Sequence, residues 1–452
     1  MTNLADNWTP SSWREKPLQQ GVAYPDAEEL KKAVHELSLL PPLVTSWEVE
    51  TLKDQLAEAA EGKRFILQGG DCAESFADCR AEPIAAKLKI LLQMSFVMTY
   101  GGHRKITRIG RFAGQYAKPR SSDTETKDDV TLLSYRGDLI NRPEFTIEAR
   151  EPNPGNLLRG YKRAALTLNF IRSLVDGGFA DLHHPEQWNL AFVDRTQNKA
   201  GYRQMIDEMI RAVGFLEAVT DRRLDELKRL DFFSSHEGLI LEYEEAQTRQ
   251  VPRRKGWYNL ATHLPWIGER TRSLDGAHVE YFRGITNPIG VKLGPKATPE
   301  EVVELTHALN PENEAGRLML IHRFGVENVG ACLPPFVEAV RKNNRKVTWC
   351  CDPMHGNTQM TEAGLKTRNF EYILGELNCA FDIHREMGSI LGGVHFELTG
   401  EDVTECTGGS CGLTEADLAK SYRTDLDPRL NYEQALEMAL LVAKRVQRGA
   451  KR

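Results

Sequence analysis

The sequence predicts an α/β protein folded as a closed (β/α)8 TIM barrel, with an N-terminal extension and a helical insertion between the second and third strands. Three observations carry that prediction. The chain has 452 residues, more than one small domain needs and within the range of a barrel with insertions. Eight short apolar runs, at 65–67, 106–109, 232–234, 258–261, 289–293, 318–321, 347–350 and 394–396, alternate with segments of helical period. Each run leads into polar or ionisable residues, as expected where parallel strands end on one shared face. An open doubly wound sheet with extra strands is the alternative that the count leaves.

Composition narrows the class. Lys and Arg number 58 against 64 Asp and Glu, a net charge of −6, which speaks against nucleic acid and anionic membrane as partners. At 41% hydrophobic and 27% charged, the chain is of ordinary globular composition. No apolar run approaches the roughly 18 residues of a membrane span. Residues 1–26 lack the apolar stretch of a secretory leader and are not acid-poor, with Asp6, Glu15 and Asp26. Eight cysteines are too sparse for a disulfide scaffold. The expectation is a cytoplasmic enzyme with reduced thiols.

Along the chain, residues 1–26 carry Trp8, Pro10, Trp13, Pro17 and Pro25 and read as an extended arm lying on another surface. Two helices follow, Ala27–Leu39, stopped by Pro41-Pro42, and Ser46–Ala60, where Thr45 and Glu48 form a capping box. Residues 1–61 therefore read as a unit packing on the barrel or a partner subunit, and 62–452 as the catalytic barrel. The stretch 115–232 is too long for one connection. Its charged segment 121–129 and helical patterns at 154–177 and 202–218 read as an insertion at about 122–230. Packing or oligomer contacts and a regulatory surface are its two candidate roles. Helices at 298–309 and 332–343 separate later runs, and 432–446, apolar at Ala435, Met438, Ala439, Leu441 and Val442, closes the barrel.

The chemistry sits where the runs end. Gln68-Gly-Gly-Asp71-Cys72-Ala-Glu74 follows the first, Arg111 and Gln115 the second, His236-Glu237 the third and Glu269-Arg270 the fourth. Lys292, Arg323, Asp352-Pro-Met-His355-Gly-Asn357 and Glu397 complete the circuit. The basic set is Arg111, Lys118, Arg120, Arg270, Lys292 and Arg323. Crowded cations repel unless a polyanion neutralises them, so one reading is a phosphorylated substrate. The other is pairing with Glu269, Glu237 and Asp71. A second set, Cys72, His355, Glu397 and Asp427, offers a thiol, an imidazole and two carboxylates, a mixture suited to Mn2+, Co2+, Fe2+ or Zn2+. Their spacing alone leaves a purely structural role open. Gly392-Gly393 and Gly408-Gly409 lack the order of a dinucleotide fingerprint, and Cys350-Cys351 is not a redox C-x-x-C pair.

Read as whole motifs, the chain resembles the class II (plant-like) 3-deoxy-D-arabino-heptulosonate 7-phosphate (DAHP) synthases. The resemblance runs from Trp13-Arg14 and Tyr24-Pro25-Asp26 to Asp427-Pro-Arg-Leu-Asn431. It rests on Leu67-Gln-Gly-Gly-Asp-Cys-Ala-Glu-Ser-Phe76, Ala113-Gly-Gln-Tyr-Ala-Lys-Pro-Arg-Ser121 and Trp266-Ile-Gly-Glu-Arg-Thr-Arg272. Asp352-Pro-Met-His-Gly-Asn-Thr358 and Thr399-Gly-Glu-Asp-Val-Thr-Glu-Cys406 add to it. The family implies condensation of phosphoenolpyruvate with erythrose 4-phosphate and water, releasing phosphate, at the head of the shikimate pathway to aromatic amino acids. It implies Cys72, His355, Glu397 and Asp427 as ligands of a divalent metal, Mn2+ or Co2+ before Zn2+ or Fe2+. Phosphoenolpyruvate would be held by Arg111, Glu269, Arg270, Lys292 and Arg323. Erythrose 4-phosphate would be held by Lys118, Arg120 and Ser121. Lys118, Lys292 and His355 would be catalytic.

A homo-oligomer, dimer or tetramer, and aromatic amino-acid effectors or a chorismate mutase partner also follow from the resemblance. A related synthase using another sugar phosphate is the runner-up, and a catalytically silent homologue is disfavoured because no functional position is missing. One departure stands out. Relatives carry Cys before the last ligand Asp, whereas Leu426 stands here, so Cys72 lacks that disulfide partner and Cys351 is the open alternative.

Overall fold

The computed structural model describes residues 8–177, a few positions within 199–211, and 231–450. Its centre is a closed barrel of eight parallel strands: β1 (Arg64–Gly70), β2 (Lys105–Arg111), β3 (Phe233–Glu237), β4 (Leu264–Ile267), β5 (Ile289–Leu293), β6 (Leu318–His322), β7 (Thr348–Cys351) and β8 (Leu391–Glu397). Each strand pairs with its sequence neighbour, and β1 closes on β8 with Gly70 opposite both Arg111 and Glu397. The open-sheet alternative is thereby excluded.

The barrel interior is filled by Ile66, Ile109, Phe233, Leu264, Met319, Ile321 and Cys350. Leu52, Leu56 and Ala59 of a helix join the same cluster, so α2 (Ser46–Ala60) plugs the N-terminal end. The Thr45–Glu48 capping box that starts α2 is present in full. Before it, α1 (Ala27–Leu39) begins at Asp26, whose carboxylate accepts from the Glu28 and Glu29 amides. The outer layer comprises α3 (Ala81–Gly102), α4 (Gly155–Asp176), α5 (Ala277–Gly284), α6 (Pro299–Leu309), α7 (Val329–Lys342), α8 (Phe370–Glu386) and α9 (Tyr432–Ala450). Among these, α9 lies along α3 and closes the ring, as its apolar stripe predicts.

Two expectations are corrected. The fourth barrel strand is not 258–261 but Leu264–Ile267, and Tyr258–Asn259 instead pairs antiparallel with Thr248–Arg249. Pro265, which lacks an N–H, hides the strand from pattern reading, yet a four-residue stretch tolerates one missing ladder donor. The charged segment 121–129 is also not helical: Thr124–Lys127 and Val130–Leu133 form a small hairpin. The 154–177 helix is found as α4, while 202–218 lies largely outside the described residues.

The N-terminal arm lies on the chain's own barrel. The Trp13 indole is buried and donates to Glu245 at 2.8 Å, and the Trp8 indole donates to the Glu280 carbonyl at 2.9 Å. No helix among the described residues is long and apolar enough to cross a membrane.

Candidate active site

The C-terminal ends of the strands surround a cavity of about 1140 Å3, counted to its open mouth. Its lining includes Cys72, Arg111, Lys118, Arg120, Ser121, Glu269, Arg270, Lys292, Arg323, His355 and Asp427. Glu397 is fully buried within hydrogen-bonding reach of Arg111. Barrel closure thus brings together the whole basic set, Arg111, Lys118, Arg120, Arg270, Lys292 and Arg323, with Cys72, His355, Glu397 and Asp427.

Cys72 owes its position to the exit of β1. Gly70 has φ +146°, and a Cβ there would meet the Arg111 carbonyl at 2.9 Å, so only glycine makes this turn cleanly. The next residue, Asp71, turns away from the mouth to Lys87 of α3 and to Arg429, at 2.8 Å from the latter. Cys72 then faces Glu397 and Asp427, with one donor atom of each of the three within 4.8 Å of the others. His355 completes the set from the loop after β7. Its Nε2 lies 3.0 Å from Glu397 Oε1, and its Nδ1 lies 2.7 Å from Asp352. A carboxylate on the far ring nitrogen is the usual way a metal-binding imidazole is oriented. A thiol and two carboxylates that converge, with an imidazole beside Glu397, are a donor set that fits a borderline divalent ion.

The acids are held ionised by cations behind and beside them. Arg368 bonds Glu397 Oε2 at 2.6 Å and Arg111 bonds its Oε1 at 2.9 Å. Against burial, His355, Arg368 and Lys118 hold Glu397 well below the usual carboxylate range. Against burial again, Lys118 and Arg368 do the same for Asp427. The Lys118 ammonium touches both the Cys72 thiol and Asp427. Burial and the Glu397 charge push that thiol up to about 12, with Lys118 pulling the other way.

Across the cavity, Lys292 pairs with Asp352, and burial lowers its ammonium to about 8 although Asp352 opposes the change. The Arg111 guanidinium and the Lys292 ammonium lie 5.4 and 5.9 Å from the Trp266 ring centroid, a cation–π cushion for two like charges. The Nε atoms of Arg111 and Arg323 have no partner among the described residues. Burial pushes Glu237, also at the mouth, up to about 7 against the pull of Lys292, Lys118 and Arg270.

The alternative of internal neutralisation is answered in part. Asp71 does not reach the cavity cations, and Glu269 pairs with Arg272 and the Gly294 amide. The acids that do pair with the cluster are Asp352, Glu397, Asp427 and, at Arg120, Glu125. Lys366 and Arg368 were missed by the sequence reading. They sit on a hairpin strand, Lys366–Arg368, paired with Thr358–Met360, and the Lys366 ammonium reaches Asp427 at 2.8 Å. The only signal was the Lys-Thr-Arg alternation. Leu426 packs on Cys72 and Tyr135, while Cys351 points behind the barrel wall toward His322 and Glu376, so the rival thiol does not share the Cys72 cluster.

Comparison with known proteins agrees with this geometry. The sequence profile of the class-II DAHP synthetase family matches residues 8–443. A phospho-2-dehydro-3-deoxyheptonate aldolase of Neurospora crassa is 45% identical over 98% of this chain and 95% of its own. The protein of the same description from Streptomyces coelicolor is 46% identical, covering 96% of each chain. A third relative, from Mycolicibacterium smegmatis, is 44% identical over 96% of this chain and 93% of its own. With the barrel, the cation-lined cavity and the acidic thiol cluster in place, the chain belongs to the class-II DAHP synthetase family.

Proposed function

We propose that the chain condenses phosphoenolpyruvate with erythrose 4-phosphate and water, giving DAHP and phosphate, and that the cavity residues divide the work as follows. Arg111, Arg270, Lys292 and Arg323 take the phosphate and carboxylate of phosphoenolpyruvate. Charge-assisted bonds from guanidinium forks are suited to both groups. Glu269, clamped by Arg272 and the Gly294 amide, fixes the loop that presents Arg270. Lys118, Arg120 and Ser121 take the second phosphate on the opposite side of the mouth. A divalent ion held by Cys72, His355, Glu397 and Asp427, Mn2+ or Co2+ in this reading, supplies Lewis-acid polarisation of the aldehyde oxygen when bound.

The protein's own contribution is positioning and charge. Two polyanions that repel each other in water are brought within reacting distance by fixed cations, which lowers the entropic and electrostatic barrier together. The enol carbon attacks the aldehyde carbon, water adds at the cationic carbon left behind, and phosphate departs. Lys118 keeps its proton beside that centre: against burial, Asp427 and Cys72 hold it above the usual ammonium range. Asp352 braces His355 and Lys292 together, coupling the metal side to the phosphoenolpyruvate side. Eight free thiols suit a reducing cytoplasm.

One observation carries the reading: the thiol–imidazole–carboxylate cluster opens directly into the cation-lined cavity. Phosphate release should require both substrates together and should stop in excess chelator, returning with Mn2+ or Co2+. Equal turnover with a five-carbon sugar phosphate would favour the related-synthase alternative, and full activity in chelator with no metal retained would remove the metal from the reaction.

A further inference from the structure

We propose that the chain holds a second divalent transition-metal ion, zinc in the first instance and structural in role, bound by His322, Cys351 and Glu376 behind the barrel wall. The site is independent of the catalytic reading above. His322 and Cys351 are Cα partners at the ends of β6 and β7. Their chain neighbours Ile321 and Cys350 fill the barrel interior, so by strand alternation these two side chains point outward. Over them lies α8, which supplies Glu376. One donor atom from each of the three lies within 4.8 Å of the others, and all three residues are 0% exposed.

The imidazole is what separates this cluster from ordinary packing. Both ring nitrogens of His322 lack a hydrogen-bond partner among the described residues. A buried polar group left unmade costs about 1–3 kcal/mol, and an uncounted ion is one of the few things that removes the cost. Glu376 already accepts from the Phe324 amide at 2.9 Å and from the Asn357 side-chain amide at 2.8 Å. Each of its oxygens takes one donor there and keeps a second lone pair.

Charge favours a dication over water. Burial first, with the Asp352 charge adding to it at Glu376 and Cys351, drives the three groups toward neutrality, with His322 down to about 3, Glu376 up to about 8 and the Cys351 thiol upward. Neutral imidazole is already the ligand form. One thiolate and one carboxylate then cancel a charge of +2, so the filled site places no net charge in the core. Water leaves the thiol and the carboxyl protonated and unmatched. Nitrogen, sulfur and oxygen donors together select a borderline ion such as Zn2+ or Co2+ over Mg2+ or Ca2+.

The ion would brace the catalytic mouth from behind. Glu376 holds Phe324 and Asn357, which flank Arg323 and His355, and the Asp352 amide donates to the His322 carbonyl at 2.8 Å.

The wild-type full chain, saturated with Zn2+, desalted and crystallised, should show an anomalous zinc peak among His322, Cys351 and Glu376. In solution it should carry about one zinc more per chain than C351S. A second readout isolates the thiolate: Co2+-loaded C72S should keep a near-ultraviolet sulfur-to-cobalt band, which C72S/C351S should lose. No anomalous peak there, an ordered water in its place, or a cobalt band that survives in the double variant overturns the proposal. The crystal measurement needs no variant, so it decides the matter if C351S fails to fold.

Discussion

Lys292 is a cation whose surroundings hold it near the edge of losing its charge. It is buried beside Asp352, with Arg111 and Arg323 adding repulsion, and its ammonium sits at about 8 in place of 10.5. Below that pH the free enzyme offers a full positive charge to phosphoenolpyruvate, and the charge is lost as pH rises through it. The kcat/KM for phosphoenolpyruvate should therefore fall above about pH 8, since this ratio reports the free enzyme. Lys292→Ala should lower it roughly 10- to 150-fold for each charge-assisted bond lost. A profile that stays level to pH 10 would show that Lys292 does not bind this substrate as an ammonium. Arg120→Ala should act on the other substrate, raising KM for erythrose 4-phosphate; an effect confined to phosphoenolpyruvate would mean that the two phosphate sites are exchanged.

Cys72 gives a second test at this scale. Its thiol faces Leu426, Tyr135 and two carboxylates, with no second sulfur in the cluster. After chelator stripping and peroxide, peptide mass spectrometry should find Cys72 free or singly oxidised and in no disulfide. The reaction should be slow, because burial and Glu397 push the thiol up to about 12 and the thiolate is the reactive form. A dominant disulfide at Cys72 would mean that the loop rearranges once the ion leaves.

Among the elements, the segment after the last strand is tied to the first βα loop by one buried guanidinium. Arg429 bonds Asp71 at 2.8 Å and Glu405 at 2.9 Å, and Asp71 in turn holds Lys87 of α3. Arg429→Met leaves two buried carboxylates short of a partner, which should cost about 3–5 kcal/mol in denaturant unfolding. Asp427 is two residues away and Cys72 follows Asp71, so metal affinity should fall as well. Loss below about 1 kcal/mol would show that the carboxylates find other partners.

The same scale shows what a sequence displays and what it hides. Strands rich in aliphatic residues and free of proline, such as β5 (Ile-Gly-Val-Lys-Leu) and β6 (Leu-Met-Leu-Ile-His), are legible as they stand. β4 is obscured by Pro265, although Glu269 and Arg270, just beyond it, were read as site residues. The thiol and carboxylate ligands lie hundreds of residues apart, so no local spacing encodes them; long motifs pointed to them, and barrel closure assembles them. His322, Cys351 and Glu376 alternate with core residues on a strand end, another strand end and a helix, and in sequence they look like packing.

Over the whole molecule, the N-terminal arm links fold stability to one substrate. Gln20 accepts from the Arg120 amide at 2.9 Å, and Arg136 donates to the Gly21 carbonyl at 2.9 Å and to the Gln20 carbonyl. The Arg136 carbonyl in turn accepts from the Lys118 amide at 2.9 Å, so the arm braces both cations assigned to erythrose 4-phosphate. Trp13, further back, anchors the arm in the outer core. These two tasks should separate by mutation. Trp13→Ala should destabilise the fold by about 3–5 kcal/mol, the range for a large buried aromatic. Gln20→Ala should leave stability nearly unchanged and raise KM for erythrose 4-phosphate roughly 2- to 12-fold, the worth of one neutral hydrogen bond. Deleting residues 1–26 should do both, while KM for phosphoenolpyruvate, whose grip is built on β2, β5 and the loops after β4 and β6, should change least. Equal rises in the two KM values with the fold intact would mean that the arm acts on the cavity as a whole, and that its contact with the Lys118–Arg120 segment carries no selectivity.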